Sequence, residues 1–206
     1  MRTTPSRVWI AFAVVGMLAA DPAAAHHAMD SQLPATFAQG LLSGLGHPVI
    51  GVDHLAAILA VGALAALAGN GMPRVAAYVA AMLAGTAVHV GAWTIPGNEP
   101  LVALTVIMLG ALLALAQPPS ARVLVLIFVA AGLLHGYAMG ESIVGAERTP
   151  LVAYFTGLAV VQTGLGIAAM MVVRRLAMRP GTMRLRVAGA AVALVGVAVL
   201  GAGVIA

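Results

Sequence analysis

The sequence contains no cysteine, which excludes disulfides, thiolate metal sites and cysteine nucleophiles together. Charge is nearly as scarce, at 8% of the 206 residues, where a soluble domain carries roughly 25%. No nucleotide-binding motif such as a P-loop occurs, so work driven by a nucleotide bound in one is excluded. What the chain has instead is apolar length. Hydrophobic residues make up 62% of it and the mean hydropathy is +1.07. Runs of about 20 apolar residues recur, each long enough to cross a hydrocarbon core of roughly 30 Å. An all-α membrane protein follows. The net charge of +4 does not signal nucleic acid, because the arginines are spread between apolar runs, where they set membrane topology.

The first 25 residues read as a cleaved signal peptide: Arg2 and Arg7 precede the short apolar stretch Val8 to Ala20, and Ala23 and Ala25 form a small-residue cleavage site. An uncleaved anchor is the alternative. Residues 26–206 then form one membrane domain with six transmembrane helices, at about 48–68, 74–95, 100–117, 121–140, 150–173 and 185–205. Between them stand "GNGMP", "PGNEP", "QPPSA", "ESIVGAERTP" and "RRLAMRPGTMRLR", each combining Gly or Pro with polar residues. Residues 33–46 are open between a short lead-in helix and a re-entrant segment. Cleavage puts the mature N-terminus in the periplasm of a bacterial inner membrane. Seven arginines (Arg74, Arg122, Arg174, Arg175, Arg179, Arg184 and Arg186) then face the cytoplasm and only Arg148 the outside, as the positive-inside rule requires.

Against this background the polar residues within spans stand out, because each is costly there and is a functional candidate by default. The stretch "HPVIGVDH" places His47, Asp53 and His54 at the start of the first span; His89 lies in the second and His135 in the fourth, with Glu141 at its end. His54, His89 and His135 each lie five or six residues inside their outer helix ends, roughly 8–9 Å deep at 1.5 Å per residue. On an unbroken helix His47 and His54 would stand about 10 Å apart. A break of the first span at Pro48 and Gly51 would let His47, Asp53 and His54 converge, in the manner of discontinuous helices at transporter ion sites. Gly132, Gly136 and Gly140 form a small-residue stripe beside His135, suited to close helix packing. Imidazoles with a carboxylate suit nickel, cobalt, copper or zinc rather than hard cations. His26 and His27 would begin the mature chain, either as a divalent-metal catch or as an incidental flexible terminus.

These residues resemble the HupE/UreJ family of bacterial nickel permeases. One signature of that family is similar to "HPVIGVDH" (His47, Pro48, Gly51, Asp53, His54) and the other to "HGYAMGE" (His135, Gly136, Ala138, Gly140, Glu141). Leu134 departs from it, since an aromatic residue is often found there. The resemblance covers essentially the whole chain and implies a non-enzymatic inner-membrane transporter that takes up nickel or cobalt ions from the periplasm. It implies no prosthetic group, Ni2+ or Co2+ as cargo, and a functional link to hydrogenase or urease maturation. Coupling to a gradient, trapping inside and facilitated diffusion all stay open. Two rivals remain: an intramembrane zinc-dependent hydrolase, for which Ser43 or Ser142 could be enlisted, and a metal sensor or accessory of a partner complex.

Overall fold

The computed structural model describes residues 33–115, 118–176 and 179–205. The expected signal peptide, with His26 and His27, lies outside them. Helix makes up 84% of the described residues and no strand occurs among them. The elements run α1 Phe37–Ile50, α2 Val52–Leu67, α3 Gly71–Val90, α4 Asn98–Leu115, α5 Ala121–Gly140, a 3-10 turn Glu141–Ile143, α6 Arg148–Arg175 and α7 Met183–Ile205. Helices α3 to α7 are each long and apolar enough to cross a membrane, and the number of spans is six if the bent α1–α2 pair is one.

The chain that was open at 33–46 is helical from residue 37, and its start is encoded locally. Thr36 Oγ1 accepts from the Gln39 amide at 3.2 Å, while Gln39 Oε1 accepts from the Thr36 amide at 3.2 Å. This capping box satisfies two of the amides that a helix N-terminus otherwise leaves open. The helix ends at Gly51, where α2 departs at 78° to it. The expected first span thus corresponds to two helices, the earlier one beginning well before residue 48.

Beyond its first turn helix α2 is apolar on every side and sits at the centre, with Ala57, Ile58, Val61, Leu64 and Ala65 fully buried, as a stretch without a polar face must. The others pair around it: α3 with α5, α4 with α7, and α6 against both arms of the α1–α2 bend. Small residues make these approaches possible. A side chain on Gly136 would overlap the Met82 carbonyl, and one on Gly85 the Leu133 carbonyl. The glycine stripe of α5 therefore faces α3. Gly132 meets Tyr78 while Gly140 meets His89, so α3 and α5 run in the same direction. Gly71 meets Met170 while Val75 meets Gly166, so α6 runs opposite to α3. These directions put Arg74, Arg122, Arg174 and Arg175 at one end of the bundle, and the first turn of α2 toward the other.

Candidate metal-binding site

Three helices each deliver one imidazole to a common place. His47 comes from the last turn of α1, His54 from the first turn of α2 and His135 from α5; all are essentially buried, at 1%, 1% and 0% exposure. The ring centroids of His47 and His54 are 5.7 Å apart, and those of His54 and His135 5.1 Å. Asp53, whose side chain is 15% exposed, puts Oδ2 3.9 Å from His54 Nδ1. Its position in the first turn of α2 suits a carboxylate, because the open amides and the positive end of the helix dipole lie there.

The bend that achieves this lies at Gly51, with Pro48 still inside α1. Backbone angles of φ −71° and ψ 100° at Gly51 are open to any residue, so conformation does not explain the glycine. Space does. A Cβ there would lie 2.8 Å from His54 Cδ2 and 3.3 Å from Asp53 Oδ1. His135 arrives differently, on an unbroken helix whose glycine at the next position lets α5 lie directly on α3.

Hydroxyl groups orient the rings. Thr105 Oγ1 donates its one hydrogen to the Val102 carbonyl at 2.7 Å, so toward His135 Nε2, at 3.0 Å, it can only accept. His135 therefore carries its hydrogen on Nε2 and its lone pair on Nδ1. That lone pair accepts from His54 Nδ1–H at 2.8 Å. On the far side, Tyr154 and Ser142 both donate to the Met139 carbonyl, at 2.7 and 3.2 Å. Their oxygens then accept from His47 Nδ1–H, at 3.3 and 3.1 Å. Each outer ring thus has one nitrogen held by hydroxyl oxygen, as metal-ligating histidines usually do. Thr105 and Tyr154 are the residues that sequence reasoning missed. Their signal was a hydroxyl within an apolar run, which is hard to tell from the common hydroxyl bonded to its own helix.

The remaining candidates stand apart. His89 donates through Nδ1–H to the Tyr137 carbonyl, 2.7 Å away, and stacks on the Tyr137 ring at 4.2 Å. Glu141 begins the 3-10 turn after α5 and is exposed. Among the described residues no group of three or more His, Asp or Glu side chains stands ready to hold one metal ion. The structure holds a preassembled imidazole pair with a third ring and a carboxylate adjoining it.

The family model described as HupE / UreJ protein matches residues 13–199 of the chain. Protein HupE of Rhizobium leguminosarum bv. viciae is 34% identical over 168 residues, which make up 79% of this chain and 85% of that protein. No solved structure matches the chain.

Proposed function

The chain belongs to the HupE/UreJ family, a family of transporter-type rather than enzymatic multi-pass membrane proteins, and on that premise we propose that it carries nickel or cobalt ions inward through the site of His47, Asp53, His54 and His135. The observation that carries this reading is the 2.8 Å separation of His54 Nδ1 and His135 Nδ1 inside an apolar bundle. A cation displacing the hydrogen between them, with metal–nitrogen bonds of about 2.0–2.1 Å, would see the two nitrogens at about 85°. That is the angle of neighbouring ligands in a square-planar or octahedral shell, which suits Ni2+; tetrahedral Zn2+ asks for a wider one. Asp53, partly exposed at the rim, is the carboxylate beside the imidazoles that an ion approaching from the arginine-poor end meets, and its negative charge offsets part of the cost of shedding water. His47 completes the shell by a small closure of the bend.

The arginines support an inward direction. With Arg74, Arg122, Arg174 and Arg175 in the cytoplasm, the imidazoles sit in the periplasmic half and uptake runs inward. Cysteines introduced as Thr182→Cys and Ala146→Cys in this cysteine-free chain should react from opposite sides with an impermeant reagent. Glu141, His89 and, ahead of the described residues, His26 and His27 serve as outer groups that gather ions rather than as the central site. Supply of nickel to hydrogenase or urease is the role that family membership suggests.

The deciding experiment is uptake of radioactive nickel into vesicles containing the full chain, with cobalt and zinc as competitors. Saturable uptake inhibited more strongly by cobalt than by zinc is expected. Vesicles no more permeable to nickel than empty ones would overturn the reading.

A further inference from the structure

Two fully buried polar side chains take no part in the site described above. The Tyr78 hydroxyl on α3 and Gln162 Oε1 on α6 have no hydrogen-bond partner among the described residues, and both side chains are 0% exposed. A buried polar oxygen left in this way is costly, and in a membrane-spanning bundle such groups mark substrate paths. Their placement is not independent. Helices α3 and α6 run in opposite directions, with Gly71 against Met170 and Val75 against Gly166. Tyr78 lies one turn beyond Val75, and Gln162 one turn before Gly166 on the same face. Both therefore reach the same level of the bundle from facing helices. Helix α5 joins them: the Tyr78 and His135 ring centroids are 6.4 Å apart, and Gln162 Nε2 is 3.9 Å from Met139 Sδ. The backbone of Tyr78 lies against Gly132, one turn from His135 toward the arginine-bearing end.

We propose that the Tyr78 hydroxyl and Gln162 Oε1 form a second station for the cargo cation, about one helical turn past the imidazoles on the way to the cytoplasm. The inference rests on the transport reading above. The donors are neutral oxygens, weaker toward a divalent cation than imidazole and carboxylate. They complete the shell of an ion leaving His54 and His135 without holding it, and successive sites that bind weakly are what passage through a membrane requires. The Gln162 amide, turned to Met139 Sδ, fixes its carbonyl oxygen in place.

The test uses the full chain in vesicles, with Tyr78→Phe and Gln162→Leu, radioactive nickel as the probe, and rates compared at equal protein abundance. Each variant should lower the maximal rate about tenfold, the effect of one lost polar contact, and leave the half-saturating concentration within about twofold. Equilibrium binding of nickel to the purified variants should match the unaltered protein, because the imidazoles are untouched. Thermal unfolding of the purified variants should be unchanged or shifted upward, since each replacement removes an unsatisfied group. Should Gln162→Leu fail to accumulate, Gln162→Glu keeps an oxygen there, adds charge, and should bind nickel more tightly while releasing it more slowly. Unaltered kinetics in Tyr78→Phe and in the Gln162 variant overturn the second station. Absence of nickel uptake by the unaltered chain instead overturns the transport reading on which it rests.

Discussion

The break between α1 and α2 brings two histidines and the end of α5 brings one to the same place, by opposite means. At the break, the chain turns 78° around one residue, and the imidazoles on either side both enter the core. Helix α5 runs straight through His135 and loosens only after Gly140, so that Glu141, six residues on, is exposed. A bend can bring in ligands seven residues apart. A straight helix brings in one face, and a residue six positions away points about 120° elsewhere. Two motifs of similar composition therefore play unequal parts. The break supplies two imidazoles and a carboxylate, and α5 supplies one imidazole and a wall.

The largest expected effect falls on the break. Asp53→Asn and His54→Ala should each reduce nickel uptake at least about a hundredfold, near 3 kcal/mol, because each removes charge or coordination from a buried site. Near-normal uptake by Asp53→Asn in vesicles would remove the carboxylate from the mechanism. Gly51→Val comes next. Its side chain would meet the His54 ring, and overpacking of about 1–3 kcal/mol should displace that ring. Nickel affinity of the purified variant, read by equilibrium dialysis, should fall while its helix content by circular dichroism stays constant. On the straight side, Thr105→Val leaves His135 Nε2–H without its acceptor and should weaken nickel binding about tenfold. Thr105→Ser should restore it, and failure of that rescue would assign Thr105 to packing alone. Smallest is Glu141→Gln, expected to raise the half-saturating concentration only about two- to threefold, since charges near water are screened. Complete loss of uptake in that variant would mean that α5 also unwinds.

The helical architecture was legible because apolar runs and Gly/Pro punctuation are coarse signals that tertiary packing does not reverse. Helix α1 was harder to read. Its Gly40, Ser43, Gly44 and Gly46 dilute the apolar pattern, and the residues that fix its start, Thr36 and Gln39, are a short-range signal three positions apart. The candidate histidines stood out because ionisable groups are expensive in lipid. What each would touch was not legible. The stacking of His89 on Tyr137 depends on α3 lying directly against α5, and the oxygens of Thr105 and Tyr154 become partners of imidazoles only when α4 and α6 close around them. Periodicity says which residues share a face, but not which face meets which.

Helix α6 has 28 residues and so is about 42 Å long, against a hydrocarbon core of roughly 30 Å. A helix that exceeds its bilayer must tilt or project from it. This one is braced across both arms of the bend, with Pro150 and Tyr154 against α1 and Gly166 against α2. Any change of its tilt is passed to the angle between those arms, and with it to the distance between His47 and His54. The length of the surrounding acyl chains thereby becomes a mechanical input to the spacing of the imidazoles, exerted through a splint rather than through either ring.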